Sequence, residues 1–156
     1  MLAMGDEGMP AAQRPRTVAL WIARRGDEIL VFEGWDSTEP GPYYRPLGGG
    51  IKFGELSRDA VVREVREELG VELIQPCLIT TLENVFTFEG EPRHEIVFLY
   101  AGEPADPAFY RQERPPATEA DGSRFAAMWR PLSDFRSGAA VLYPVGLLEV
   151  LDADSS

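Results

Sequence analysis

Short apolar runs separated by polar turns characterise the first third of the chain. Thr17 to Ala23 is rich in β-branched and aromatic side chains, which is typical of a buried strand. After a polar turn at 24–27, apolar residues return between Glu28 and Glu33. Two such runs joined by a short turn predict a β-hairpin. A further short strand is expected at 43–45, after a loop that contains two prolines.

The pattern changes to a helical period between Ser57 and Gly70. Its apolar residues form one stripe at about 100° per residue: Val61, Val62, Val65 and Leu69. Ser57 is a suitable N-cap, because its hydroxyl can accept a hydrogen bond from a free N–H of the first turn. Asp59 places negative charge near the positive end of the helix dipole. Gly70 suits the left-handed position that follows a helix.

Strand patterns and turns alternate after this helix. Strands are predicted at 72–81, 82–88, 93–101 and 125–131. The stretch 102–123 is rich in proline and charge and is long for a connection, which predicts a lid or a disordered loop. A short helical turn is expected at 132–135 and an amphipathic helix at 144–151. This order of elements predicts a mixed α/β architecture.

Composition argues against several classes of protein. The 156 residues carry 26 acidic and 15 basic side chains, giving a formal net charge of −11. So acidic a chain lacks the basic surface of a general nucleic-acid or anionic-membrane binder. The single cysteine, Cys77, excludes an intrachain disulfide. No apolar stretch approaches membrane-spanning length and no signal peptide is recognised, so a cytoplasmic protein is expected.

The length suits one domain. Residues 1–16 combine glycine, proline and mixed charge without a period, so a flexible N-terminal tail is predicted there. Residues 17–152 are predicted to form the folded domain.

Three glutamates lie together on one side of the predicted helix. Glu64, Glu67 and Glu68 fall within an arc of roughly 100°, with Arg63 and Arg66 on the other flank. Like charges three and four residues apart oppose helix formation. A divalent metal would explain the cluster, because Mg²⁺ prefers oxygen ligands and combines a few carboxylates with substrate phosphates. A solvated acidic face, balanced by the two arginines, explains it equally well.

A glycine-rich loop immediately precedes the acidic helix. Its glycines allow close approach of the backbone to a metal or a phosphate: Gly48, Gly49, Gly50 and Gly54. Loop and helix together resemble the Nudix box, G-x5-E-x7-R-E-U-x-E-E-x-G-U, in which U is aliphatic. Every fixed position is filled at the required spacing, by Gly49, Glu55, Arg63, Glu64, Val65, Glu67, Glu68, Gly70 and Val71. The chain is therefore identified as a member of the Nudix hydrolase (MutT-like) family.

This resemblance implies the Nudix fold, in which a mixed β-sheet is sandwiched between α-helices. It also implies Mg²⁺ as the cofactor, with Mn²⁺ as the alternative. Glu67 and Glu68 would be the chief metal ligands, and Glu64 a further ligand or the group that orients the attacking water. The main-chain carbonyl of Gly48 is another expected ligand. Arg63 would hold the glutamates through charge-assisted hydrogen bonds, so Arg63, Glu64 and Glu67 are the predicted catalytic residues.

Other motif positions are expected to shape the site. By the same resemblance, Glu55 would brace the loop against the helix, whereas Gly70 would be conformational. The general base differs between family members. Glu119 and Asp121 are the predicted candidates, and Glu95 is another if its side chain faces the cleft.

Substrate contacts are predicted around the glycine loop. The expected substrate-binding residues are Gly49, Gly50, Arg45, Tyr43 and Phe86. Arg45 either reaches a phosphate or pairs with one of the many carboxylates. Trp35 and Phe88 are further aromatic residues that could hold a base, although core packing is expected for at least two of the four aromatic side chains.

The resemblance implies a metal-dependent hydrolase. The predicted substrate is a nucleoside diphosphate linked to another moiety, cleaved to a nucleoside monophosphate and a phosphorylated product. The alternative is a Nudix-fold sensor that binds a nucleotide without turning it over. Retention of Glu64, Glu67 and Glu68 favours the enzyme. No nucleic-acid or membrane partner is expected, and a homodimer is left open.

Overall fold

The computed structural model describes residues 13–154. In the first half the elements are β1 Arg16–Trp21, β2 Arg24–Arg25, β3 Glu28–Trp35, β4 Pro42–Arg45, β5 Leu47–Gly50, α1 Ser57–Leu69 and β6 Leu73–Phe88. The second half contains β7 Glu91–Pro104, a 3₁₀ helix Pro107–Arg111, β8 Pro116–Thr118, β9 Arg124–Ala126, β10 Met128–Pro131, α2 Leu132–Arg136, β11 Val141–Leu142 and α3 Leu147–Asp154. The predicted tail largely lies outside the described residues, but its last residue, Arg16, begins β1.

Two sheets of mixed direction form the body of the fold. The first has the order β5-β1-β7-β6, in which β1 and β7 are parallel and the other pairs antiparallel. The second has the order β10-β3-β4-β11, in which β4 and β11 are parallel. The mixed α/β sheet architecture predicted from the sequence is confirmed.

Strand β1 shows why the sheets lie between helices. Its successive side chains point to opposite faces, and both faces are buried. Ala19 and Trp21 pack in the cluster that contains Val61 and Val65 of α1. On the other face lies a second cluster that contains Leu132 of α2 and two side chains of α3, joined there by Val18, Leu20 and Ile22. A strand buried on both faces reads as a continuous apolar run, as this one does.

The predicted hairpin between residues 17–23 and 28–33 is wrong. Strand β1 is flanked by β5 and β7, so both of its hydrogen-bonding edges are occupied. Strand β3 pairs instead with β2, β4 and β10. The tight turn at 26–27 therefore joins the two-residue strand β2 to β3, and the chain passes from one sheet to the other between Trp21 and Arg24.

Helix α1 matches the predicted segment, but its N-cap does not. Leu56 occupies the N-cap position without a side-chain hydrogen bond. The Ser57 hydroxyl instead lies 2.6 Å from the Tyr100 hydroxyl on β7. The C-terminus is as predicted, since Gly70 has φ of 69° and its N–H donates to the Arg66 carbonyl.

The segment 102–123 is not a loop throughout, which corrects a second expectation. Strand β7 continues to Pro104, and the 3₁₀ helix and β8 follow it. Strand β8 pairs with β9, so residues 119–123 form the turn of a small hairpin. The C-terminal helix also starts later than predicted, at Leu147, since Gly146 before it has a left-handed φ of 96°. The Asn84 side chain bonds to both the N–H and the carbonyl of Val145 in this preceding segment.

No helix within residues 13–154 has the length and apolar character needed to cross a membrane.

Candidate active site

Strand β5 brings its glycines against β1 and α1. Gly48 has φ of 145°, and a Cβ there would lie 2.1 Å from the Ala19 carbonyl oxygen. A Cβ on Gly49 would lie 2.5 Å from Cδ of Glu64. Only a residue without a side chain fits at either place as the neighbours stand. The backbone of β5 therefore lies directly against the Glu64 carboxyl group.

Arg63 organises the acidic face through all five of its N–H groups. Nε and Nη2 donate to the two carboxylate oxygens of Glu55, at 2.8 and 2.9 Å. Nη2 also donates to the Gly50 carbonyl at 2.9 Å. Nη1 donates to Glu64 at 2.9 Å and to Glu67 at 3.2 Å. This network raises the pKa of Arg63, chiefly through Glu55.

Glu55 ties the loop to the helix. Besides the Arg63 fork, its carboxylate accepts the Lys52 backbone N–H at 3.1 Å. These hydrogen bonds, led by that of Arg63, lower the pKa of Glu55 to about 2. The residue therefore stays ionised at neutral pH and contacts both ends of the segment 52–63.

Glu64 and Glu68 meet one turn apart on α1. Burial, followed by the charge and the hydrogen bond of Glu64, raises the pKa of Glu68 to about 8. The charge of Glu119 adds to the rise, and a hydrogen bond with the Gly48 backbone opposes it. Two ionised carboxylates that meet at one buried point repel each other unless a cation lies between them. The pair thus fits a divalent cation.

Glu67 lies to one side of this contact. Its side chain is 56% exposed, against 18% for Glu64, and the Arg63 guanidinium lies between the two. Among the described residues, no three histidine, cysteine or acidic side chains converge as a ready-made metal site. The two carboxyl groups in contact still match Mg²⁺, which usually takes one or two carboxylates and completes its shell with substrate phosphates and water.

A cavity of about 520 Å³ opens beside β7. It brings together three of the predicted substrate-binding residues, Tyr43, Arg45 and Phe86. Gly49 and Gly50 are not among the described residues that line it. The Arg16 guanidinium, which does line it, lies 3.4 Å from the position of a Cβ on Gly50. The cavity therefore adjoins the glycine strand.

The aromatic wall of the cavity is built from distant parts of the chain. Tyr43 packs edge-on against Phe88, with ring centroids 6.1 Å apart, and against Tyr143 at 5.4 Å. Trp35 is 59% exposed and does not line the cavity. Sequence reasoning missed Tyr143, because nothing local links it to β4.

Sequence reasoning also missed two arginines of the cavity, Arg16 and Arg93. The sequence pattern places Arg16 in the predicted tail. In the structure it lies in β1, where the parallel pairing with β7 sets it beside Glu95. Arg93 carried a usable signal: it lies two residues before Glu95 and so shares a face of the strand with that residue.

The three predicted general-base residues have different surroundings. Glu95 is 7% exposed and lies 3.3 Å from Arg45 and 3.8 Å from Arg16, so it is paired with both. Asp121 accepts the Ser123 N–H and hydroxyl within the β8–β9 turn, and these bonds lower its pKa. Glu119 lies close enough to Glu68 to raise its pKa.

The charge of Glu119 also acts on a residue of the cavity, Tyr43. Burial raises the pKa of the Tyr43 hydroxyl, and Glu119 is one of the carboxylates that add to the rise. Of the three residues, Glu119 is the one whose charge acts on both Glu68 and Tyr43.

A family model for the NUDIX domain matches residues 13–145. The chain belongs to the Nudix family. It is 36% identical over 67 residues to an uncharacterized Nudix hydrolase, YvcI, of Bacillus subtilis (strain 168). That match covers 43% of this chain and 37% of the length of YvcI.

Solved structures of Nudix proteins share the fold. A NUDIX hydrolase from Nitrosomonas europaea has a TM-score of 0.61 at 16% identity, covering 89% of this chain and 87% of the other. The ORF135 protein of E. coli has a TM-score of 0.57 at 22% identity, covering 94% of each chain. At these identities the likeness establishes the Nudix fold, a mixed sheet between helices.

Proposed function

We propose that this Nudix protein is a divalent-metal-dependent hydrolase of a phosphate anhydride. Its substrate is a nucleoside diphosphate linked to another moiety, and its products are a nucleoside monophosphate and a phosphorylated remainder. The observation that carries the proposal is the contact between Glu64 and Glu68 beside the glycine strand, next to a cavity lined by arginines and aromatic rings.

Mg²⁺ is the proposed metal, with Mn²⁺ as the alternative. Glu64, Glu67 and Glu68 are the proposed ligands, together with the main-chain carbonyl of Gly48. When bound, a divalent cation withdraws charge from the anhydride and lowers the pKa of the water that attacks it. Phosphate anhydrides are protected mainly by their negative charge, so this is the chemistry that their hydrolysis requires.

Arg63 acts through the glutamates. Because all five of its N–H groups are engaged, it has none left for a substrate. It fixes Glu64 and Glu67 on one side and Glu55 on the other, so the acidic face keeps one shape. We therefore assign Arg63 and Glu55 as positioning residues.

Glu119 is the proposed general base. Its charge acts on both Glu68 and Tyr43, so Glu119 lies within electrostatic range of a proposed metal ligand and of the cavity. A base must lie within hydrogen-bonding reach of the attacking water, directly or through one further water. Glu95 is less suitable, since its carboxylate is paired with Arg45 and Arg16.

The cavity is the proposed site for the nucleoside. Tyr43 and Phe86 offer aromatic surface for a base, which stacks on such rings with about 1–3 kcal/mol in nucleic-acid complexes. The Arg45 guanidinium lies on the same wall, where it can meet a phosphate oxygen.

The proposal is tested with a panel of substrates. The protein is incubated with ADP-ribose, dinucleotides, dinucleoside polyphosphates, nucleotide sugars and modified nucleoside triphosphates, each with Mg²⁺, with Mn²⁺ and with EDTA. We expect one class to release a nucleoside monophosphate with metal and none with EDTA, as separated by anion-exchange chromatography. Ligand-induced thermal shifts without any cleavage would support the sensor instead.

A homodimer and a cytoplasmic location stay predictions.

A further inference from the structure

The cavity concentrates positive charge in an acidic protein. Among its lining residues are four arginines and two carboxylates: Arg14, Arg16, Arg45 and Arg93, with Asp36 and Glu95. The chain as a whole has a net charge of −11. An arginine excess at this place is therefore a local property of the cavity, and it favours a ligand with several negative charges.

Both carboxylates of the cavity already have partners. Glu95 is shared between Arg45 and Arg16. Asp36 accepts hydrogen bonds from the Thr38 N–H at 2.9 Å and from the Thr38 hydroxyl at 2.7 Å. Its carboxylate therefore stabilises the β3–β4 loop. Because each carboxylate is already bonded to other groups, neither of them neutralises Arg93.

Arg93 is the half-buried arginine of this cavity that lacks a protein acceptor. Within residues 13–154 its guanidinium forms no ion pair and no hydrogen bond. It lies about 7 Å along β7 from Glu95, on the same face of the strand. Phe86 faces it across the β6–β7 pair, and both residues line the cavity. Arg93, with its five N–H donors, thus lines a cavity that also has aromatic walls.

Arg93 stands well away from the acidic face of α1. In the register of the first sheet, Gly50 is level with Val18 and Val18 with Val97. Arg93 precedes Val97 by four residues, which is roughly 14 Å along the strand. A group bound by Arg93 therefore belongs to the part of the substrate remote from the anhydride that is cleaved.

We infer that Arg93 binds a second phosphate, a phosphate monoester carried by the nucleoside part of the substrate. This inference rests on the proposed function and narrows it, since it selects nucleotides with a phosphate beyond the diphosphate. A guanidinium binds a phosphate monoester through two parallel N–H···O bonds, which gives affinity and orientation together. The arginine excess supplies the charge that such a dianion needs.

Direct binding tests the inference independently of hydrolysis. Dissociation constants are measured calorimetrically, in EDTA and at one ionic strength, for adenosine 5′-monophosphate, adenosine 2′,5′-bisphosphate and adenosine 3′,5′-bisphosphate. We expect at least one bisphosphate to bind tenfold or more tightly than the monophosphate. In Arg93→Gln this ratio falls to near one. The control Arg111→Gln removes the same charge from an exposed position outside the cavity and keeps the ratio.

Two results would overturn the inference. Equal affinity for all three nucleotides would show that the cavity does not read a second phosphate and that Arg93 serves another purpose, such as contact with a base. A preference that survives Arg93→Gln would assign the phosphate to another residue. Neither result touches the proposed hydrolysis, which fails separately if no nucleoside diphosphate derivative is cleaved with metal.

Discussion

The Arg63 guanidinium donates hydrogen bonds to acceptors on four residues, in an arrangement that a lysine ammonium cannot reproduce. Its fork to Glu55 uses two N–H groups, and the remaining three bind Gly50, Glu64 and Glu67. A lysine ammonium has three donors and no planar fork. The arrangement of the acidic face therefore depends on the shape of the cation as well as on its charge.

We predict that Arg63→Lys lowers both stability and activity. Hydrogen bonds to charged groups contribute about 1.5–3 kcal/mol each, and at least two are lost. The free energy of unfolding should fall by roughly 3–6 kcal/mol, and kcat by tenfold or more. Arg66→Lys is the matched control, since Arg66 forms an exposed fork with Glu72 and surface pairs contribute about 0–1 kcal/mol. Equal effects of the two substitutions would contradict the assignment.

Two neighbouring glycines should respond differently to alanine. At Gly49 the added Cβ meets the end of the Glu64 side chain, which can rotate away. We expect Gly49→Ala to keep its melting temperature within a few degrees while kcat falls about 10²-fold, the loss that a misplacement of 1 Å can cause.

At Gly48 the added Cβ meets the backbone of β1, and the residue has a φ that strains any L side chain. Gly48→Ala should therefore destabilise the fold by roughly 2–6 kcal/mol, from backbone strain and overpacking together. Thermal unfolding and steady-state kinetics of both variants decide the matter. An inactive but fully stable Gly48→Ala, or an unstable Gly49→Ala, would show that the contacts differ from those described.

The lowered pKa of Glu55 predicts how stability depends on pH. Its pKa falls from the usual 4.5 to about 2 on folding, because Arg63 and the Lys52 N–H favour the ionised form. The contribution of Glu55 is complete above pH 4.5 and is lost as the pH falls towards 2. The melting temperature of Glu55→Gln should therefore lie below that of wild type at pH 7, and this gap should close at acid pH. A gap that is constant with pH would refute this account.

At the scale of the elements, helix α1 was predictable because its signals are local. The apolar period, Asp59 and Gly70 all act within one segment, and the helix indeed spans Ser57–Leu69. The predicted N-cap is wrong because the Ser57 hydroxyl bonds instead to Tyr100 of β7, which is 43 residues away in sequence. A hydroxyl that caps a helix and one that bonds to another strand look the same in the sequence.

A double-mutant cycle distinguishes these two roles of Ser57. Ser57→Ala and Tyr100→Phe should each cost about 1 kcal/mol of unfolding free energy, the typical worth of a hydrogen bond. The double variant should cost clearly less than the sum, because both substitutions remove the same contact. Additive losses in urea unfolding would indicate that Ser57 acts as a cap after all.

Strand pairing was the least predictable feature of the elements. The runs at 17–23 and 28–33 have the pattern of a hairpin, yet β1 takes its partners from β5 and from the distant β7. Apolar content indicates that a strand is buried. Which strands pair with its two edges depends on which other parts of the chain lie beside it. The segment 102–123 was misjudged for a similar reason, since β8 becomes a strand through β9.

For the whole molecule, the motif residues could be predicted and the cavity only in part. Glu55, Arg63, Glu64 and Glu68 lie within 14 residues of one another, so their spacing alone brings them together. The cavity combines β1, β4, β6, β7 and residues near 143, and its arginines are dispersed along the chain. Tyr43 and Arg45 could be predicted from residue type and from their place before the motif, whereas Phe86 could be predicted only as an aromatic residue. Arg16 and Arg93 needed the register of the sheet.

The central claim is that the carboxyl groups of α1 hold the metal for hydrolysis. The most direct test compares the Mg²⁺-dependent kcat of wild type with that of Glu68→Gln, on the best substrate of the panel. Glu72→Gln is the control, an exposed glutamate just beyond the helix. In EDTA at pH 8, Glu68→Gln should be at least as stable as wild type, because burial beside Glu64 disfavours the ionised carboxylate.

We expect kcat of Glu68→Gln to fall by at least 10³-fold, because a metal ligand supports charge stabilisation of several kcal/mol. Glu72→Gln should keep the wild-type rate. Wild-type turnover by a folded Glu68→Gln protein would contradict the claim and place the metal elsewhere.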